Sequence, residues 1–184
     1  MKRLYILGCI ALLFVFSSCG GDKKTEVITE TREEVEEFDQ LGVYPTEFAE
    51  GWRIIGSTSG GGFGSFLTFR VGEYSKATLS LGLSDTYLAN INRWKEQFGN
   101  PKVESLPEYE KITMFGEQGI LVPEFGKFRG LQENWGMLAA TLIHSEYGLC
   151  VLKLTGPQEE VEAQREATVK MAASMRQRIF TGQK

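Results

Sequence analysis

The chain has 184 residues, room for one ordinary domain and too few for two. Charged residues make up 24% and the hydrophobic set 42%, a soluble globular composition that excludes disordered, collagenous and multi-spanning membrane classes. A net charge of −4 offers no basic field for a nucleic-acid backbone, and one histidine with three cysteines leaves neither a histidine pair for a metal nor a disulfide framework.

The first 18 residues run from Lys2 and Arg3 through the apolar stretch Leu4 to Phe16 and close on Ser17-Ser18. This pattern predicts a secretory signal peptide over residues 1–18. Its apolar core falls short of the roughly 18–20 residues that a permanent span of a ~30 Å hydrocarbon layer requires. Phe16-Ser17-Ser18-Cys19 resembles the bacterial lipobox. That resemblance implies a lipid on the Cys19 thiol, a contact with the membrane through that lipid, and a place in the bacterial cell envelope. Gly20 rather than Asp after the cysteine points to the outer membrane, facing the periplasm. The plainer alternative is a secretory signal that happens to contain a cysteine. On the lipobox reading Cys9 leaves with the signal and Cys19 is alkylated, so Cys150 remains as the single thiol. It lies in Leu149-Cys150-Val151-Leu152, where cysteine behaves as a small buried hydrophobe.

Between Gly20 and Gln40 there are eight acidic and three basic residues, a net of −5. Residues 19–40 therefore read as a lipidated, acidic, solvated tether, and residues 41–184 as a single globular domain whose own charge is close to neutral.

In that domain Leu67, Phe69 and Val71 alternate with Phe66, Thr68 and Arg70, and Ala77, Leu79, Leu81 and Leu83 alternate with Lys76, Thr78, Ser80 and Gly82. A period of two predicts a hairpin of half-buried strands turning at Gly72 to Ser75. Asp85 is placed to cap a helix over Thr86 to Phe98, stopped by Gly99 and Pro101, with Tyr87, Leu88, Ile91, Trp94 and Phe98 on its apolar face. Ile112 to Phe115 and Ile120 to Val122 form a second hairpin around Gly116 to Gly119. Met137 to Ser145 is apolar at both phases, as a central strand covered on both faces would be, and Leu149 to Leu154 is its return strand. A last helix is expected from Pro157 to about Ile179, with Val161, Thr168, Met171, Ala172, Met175 and Ile179 on its inner stripe and Arg176 and Arg178 at its C-terminal end. These elements predict an α+β fold, an antiparallel β-sheet flanked by helices in an α/β/α sandwich.

The helix Leu88-Ala89-Asn90-Ile91-Asn92-Arg93-Trp94-Lys95-Glu96-Gln97-Phe98-Gly99-Asn100-Pro101 and the junction Leu152-Lys153-Leu154-Thr155-Gly156-Pro157, set in this order of strands and helices, resemble small bacterial envelope lipoproteins of the PsbP-like type. The resemblance covers roughly Gly51 to Arg178. It implies the sandwich fold shared with photosystem II extrinsic proteins and the Ran-binding Mog proteins, and for the bacterial lipoproteins it implies no established catalytic activity. Members in photosynthesis or nuclear transport act through protein partners, but no residue of this sequence maps onto their interfaces, so the resemblance carries over the fold alone.

Candidate chemistry is thin. Gly60-Gly61-Gly62-Phe63-Gly64 lacks the lysine and Ser/Thr of a phosphate loop and precedes a strand, so it reads as a connecting loop or, alternatively, a ligand lid. His144 stands alone at a strand end, and Glu133 and Glu146 are the carboxylates weighed for glycoside chemistry. The outer face of the first helix is of more interest: Asn90, Arg93 and Gln97 align at i, i+3 and i+7 with Trp94 at their border. Arginine beside tryptophan is favoured at interfaces, and the alternative is a solvated face with Trp94 in the core. The expectation is a membrane-anchored, non-catalytic binding or accessory module contacting an envelope protein through Asn90, Arg93, Trp94 and Gln97, without nucleic acid, metal or cofactor. The competing expectation is a small-molecule binder or hydrolase with a pocket near Gly60 to Gly64.

Overall fold

The computed structural model describes residues 43–57, 64–83, 86–145 and 147–177. The signal-like stretch, Cys19, the acidic segment, residues 60–63 of the glycine loop, Asp85, Glu146, Arg178 and Ile179 lie outside them. The elements in chain order are β1 (Val43–Pro45), β2 (Trp52–Ser57), β3 (Gly64–Val71), β4 (Ser75–Leu83), α1 (Tyr87–Gln97), β5 (Glu110–Met114), β6 (Glu117–Phe128), β7 (Gln132–His144), β8 (Gly148–Pro157), α2 (Gln158–Ala163), α3 (Arg165–Ser174) and β9 (Met175–Gln177). Seven strands form one antiparallel sheet in the order β2-β3-β4-β8-β7-β6-β5, and β1 pairs with β9 in a separate two-stranded ribbon. The fold is thus α+β, dominated by its sheet.

Alternation sorts the side chains of this sheet into two apolar sets. On one face Leu67, Phe69, Ala77, Leu79, Leu121, Leu138, Ala140, Leu152 and Leu154 pack beneath Val161 of α2 and Met171 and Ala172 of α3. On the other, Val122, Met137, Ala139, Leu149 and Val151 pack beneath Ile91, Trp94 and Phe98 of α1. β7 carries buried residues at both phases from Met137 to Leu142 because it crosses both sets.

Two tight hairpins set the register. In the β5–β6 turn Phe115 (φ 53°) and Gly116 (φ 79°) are both left-handed, the conformation that a two-residue turn needs to match strand twist. Glu117 to Gly119, expected in the turn, are therefore already in β6, paired with Met114 to Ile112. Gly119 has to be small, since a Cβ there would lie 2.5 Å from the Thr141 carbonyl oxygen. β6 extends to Phe128, well past the expected Val122. It tolerates Pro123 because β5 pairs only as far as Leu121, so β6 is an edge strand on that side.

Three further expectations need correction. The cap of α1 is Thr86, whose Oγ1 accepts from the Ala89 N–H at 3.3 Å. The single last helix is two, broken at Gln164. There the side-chain Oε1 accepts from Trp52 Nε1 at 2.9 Å while the backbone N–H is shared between the Glu160 and Val161 carbonyls. After Ser174 the chain turns extended: Met175 (ψ 133°) begins β9, and the Thr46 N–H donates to the Ser174 carbonyl at 3.0 Å. Met175 stays fully buried, so the helical spacing of the apolar stripe continues past the point where the backbone changes. Arg176, in β9, still donates to the Ala173 carbonyl, as a C-terminal cap would.

Candidate functional site: the open half of one sheet face

α1 covers only part of its face. Its apolar residues sit over β6, β7 and β8, and it makes at most marginal contact with β2, β3 and β4. The positions that point to this open half follow from register. Arg53 of β2 lies opposite Arg70 of β3, Arg70 opposite Lys76 of β4, and Lys76 opposite Thr155 of β8. The next row runs Gly56, Thr68, Thr78 and Lys153. Arg53, Arg70 and Lys76 are exposed, and Thr68, Thr78, Lys153 and Thr155 half-buried. None of these positions is a carboxylate. Among the described residues none of the four cations forms an ion pair.

This arrangement has an energetic cost. Like charges directly opposite on adjacent strands destabilise a sheet, by about 0.2–1 kcal/mol per pair, and here two such pairs share Arg70. Lys153 adds to the cost. Burial first, then the positive charges of Arg93 and Arg129, lower its ammonium below the usual lysine range.

Arg129 is held in place by its backbone. It has φ 52° and is followed by Gly130 at φ 69°, and the Leu131 N–H closes this turn on the Phe128 carbonyl at 3.1 Å. A left-handed arginine is uncommon and costs free energy. Its N–H donates to the Gln97 carbonyl at the end of α1 at 2.6 Å, and its guanidinium lies 5.1 Å from the Phe128 ring centre. The same end of α1 is tied to β6 by Glu124, which accepts from Lys95 Nζ at 3.1 Å and from Asn100 Nδ2 at 2.8 Å. The helix edge that borders the open sheet is therefore positioned at its C-terminal end by a turn, an ion pair and an amide.

The four residues expected on the outer face of α1 are not one surface. Arg93 is exposed and Gln97 half-buried, but Asn90 is fully buried and Trp94 is 3% exposed. Asn90 donates to the Thr86 carbonyl and accepts from Arg93 Nη2, and Trp94 packs in the core beneath the helix. Helical spacing aligned these side chains, while the sheet took Trp94 and the capping turn took Asn90. Arg93 alone joins the cationic face. Sequence reasoning did not single out Lys153 or Arg129. The signal for Lys153 was present in the alternation Leu152-Lys153-Leu154-Thr155, which sends it to the face opposite the leucines.

The other candidates are accounted for structurally. His144 ends β7 and is 7% exposed, with its ring stacked on Tyr147 at 4.9 Å and edge-on to Phe115 at 5.8 Å, and Nε2 3.7 Å from Glu117 Oε1. Glu133 pairs with Lys127 at 2.6 Å near the β6–β7 turn. Cys150 is fully buried, and burial, with Glu117 as a lesser cause, pushes its thiol up to about 12, which makes it inert as a nucleophile. A shallow groove of about 370 Å³ lies between residues 47–50 and α3, where Lys170 pairs with Glu166 at 3.0 Å. Among the described residues no three His, Cys, Asp or Glu side chains are grouped to hold a metal ion, and no helix is long and apolar enough to cross a membrane. No protein-family model and no curated protein matches the chain.

Proposed function

We propose that this chain is a membrane-anchored bacterial envelope lipoprotein whose domain, a PsbP-like α/β/α sandwich, acts as a non-catalytic binding or accessory module. The lipobox-like Phe16-Ser17-Ser18-Cys19 supports the anchor. Apolar sets on both faces of the sheet, one beneath α1 and one beneath α2 and α3, support the layered reading. The observation that carries the binding role is the open half-face, where cations stand in cross-strand register with hydroxyls between them. A surface that serves only solvation gains nothing from facing Arg53 against Arg70 and Arg70 against Lys76.

The anchor is tested by metabolic palmitate labelling of the full-length chain and its Cys19→Ser variant in a bacterial host. The expected result is a labelled, membrane-fractionating protein whose label and membrane association are lost in the variant; an unlabelled wild-type chain overturns the anchor. The binding role is tested by photo-crosslinking in cells from position 93, the residue of α1 that borders the open face. One dominant adduct, lost when Arg70 and Lys76 are both changed to Glu, is expected. An adduct pattern indistinguishable from that of a probe at exposed Lys170 overturns it.

A further inference from the structure

We propose that the end of the sheet carrying the β3–β4 and β6–β7 turns is a membrane-contact surface: Leu131 and Tyr74 enter the interface of an anionic bilayer, and Arg53, Arg70, Lys76 and Arg129 meet its headgroups. The occupant is the lipid surface to which the anchor would tie the domain. The inference rests on the reading of the chain as a membrane-anchored module and adds to it the face that meets the lipid.

Register brings these residues to one end. β3 and β4 close with Val71 opposite Ser75, β2 begins beside them with Trp52 opposite Val71, and Lys76 lies opposite Thr155 near the end of β8. β7 extends past its last partner on β8, from Trp135 back to Gln132, so the β6–β7 turn projects about 10 Å beyond β8 at this same end. Across the sheet the two tips stand three strand spacings apart, roughly 14 Å. The β5–β6 and β7–β8 turns lie at the opposite end.

Leu131 is 84% exposed and Tyr74 65%, the two most exposed large hydrophobic side chains among the described residues, and each stands at one of these tips. A single exposed apolar side chain is ordinary; the charge around this pair is what points to lipid. Arg129 holds its guanidinium 5.1 Å from the Phe128 ring centre, and Phe128 packs with the apolar set beneath α1, so this cation stands on the open side of the sheet with Arg53, Arg70 and Lys76. The nearby carboxylates are engaged or face away. Glu133 pairs with Lys127 at 2.6 Å, Glu160 accepts from Ser75 Oγ on the closed side, and Glu50 lines the groove against α3. Glu124, in the same cross-strand row as Lys76, is three strands away and held by Lys95 and Asn100. Glu73, beside Tyr74, is left against four cations. Each net cation near an anionic surface is worth roughly a fivefold preference, so three give roughly a hundredfold. Tyrosine favours the headgroup level. Two turn tips offer far less than the ~800 Å² a side of a stable protein interface, whereas a bilayer accepts isolated side chains. The chain from Cys19 to Val43 reaches at most roughly 80 Å, which keeps this end near the lipid at high local concentration.

The test is hydroxyl-radical footprinting of the full-length chain on vesicles of phosphatidylcholine alone and of phosphatidylcholine with phosphatidylglycerol. Labelling of Leu131 and Tyr74 should fall at least about fivefold on the anionic vesicles and recover at high salt. The fall should be largely lost when Arg70→Gln and Lys76→Gln are combined, both at exposed positions. Ile143, exposed at the opposite end of the sheet, should be labelled equally on both vesicles. Unchanged labelling of Leu131 and Tyr74, or an equal fall at Ile143, overturns the proposal. A fall that follows protein density on the vesicle rather than phosphatidylglycerol overturns it in favour of contact between copies. The anchor is read separately by the palmitate label. A labelled chain with unprotected tips leaves the anchor standing and removes this face; an unlabelled chain whose tips are protected on anionic vesicles does the reverse.

Discussion

Phe69 and Arg70 are neighbours on β3 and belong to two differently finished surfaces. Phe69 points into the face closed by α2 and α3, where it is fully exposure-free and its ring lies 5.7 Å from Trp52 and 6.5 Å from Phe48. Arg70 points to the face that α1 leaves half open, between Arg53 and Lys76. On the closed face the side chains are chosen for packing: the core cluster is apolar, and polar contacts such as Ser75 Oγ to Glu160 Oε2 at 2.6 Å sit at the margin, where α2 meets the β3–β4 turn. On the open half, charge is kept where it costs stability. The contrast sets a surface finished for packing on one side of a strand against a surface of unopposed positive charge on the other, the side on which the proposed binding role rests.

The largest effects should come from the closed face. Phe69→Ala is expected to cost about 4 kcal/mol in urea denaturation, whereas Arg70→Thr, one residue along, should gain about 0.5 kcal/mol by removing both like-charge pairs. A loss on Arg70→Thr would contradict the reading of the open row as electrostatically costly. Gly156→Ala comes next, at about 3 kcal/mol, because the new Cβ would lie 2.0 Å from Ser75 Oγ and 2.9 Å from the Ser75 Cα. Under α1, Glu124→Ala should cost about 2 kcal/mol, since it strands Lys95 at 18% exposure and frees Asn100. If instead it is neutral, α1 is not held by that pair. The smallest shift is expected at Thr141, whose buried Oγ1 has no hydrogen-bond partner among the described residues. Thr141→Val should stabilise by about 1 kcal/mol, measured in the same assay.

The closed face was the more legible of the two in the sequence. The alternation of Leu67, Phe69 and Val71 with Thr68 and Arg70 marks a strand, its two sides and even the outward basic residues. The double-phase run from Met137 marks a strand buried on both faces. β2 escaped because Ile55 is a bulge residue that breaks the period of two between Ile54 and Gly56. The break at Gln164 escaped because a side chain far along the chain, Trp52, takes its amide oxygen, and helical spacing does not register such a contact. The cationic strip was illegible for a topological reason. Lys153 could be assigned a face by parity, but its nearness to Arg93 and Arg129 depends on β8 inserting between β4 and β7 and on α1 lying over β6. Neither follows from local pattern.

The central claim, that the open half-face keeps a cation at a cost to stability, is most directly tested by thermal melting of the full-length chain and Lys153→Met. The variant should melt higher, by about 1 kcal/mol in stability. The lysine's lowered pKa makes its charge a penalty that is present at neutral pH, so this gap should close as pH rises through that value towards 10.5. A variant that melts lower than wild type would contradict the claim.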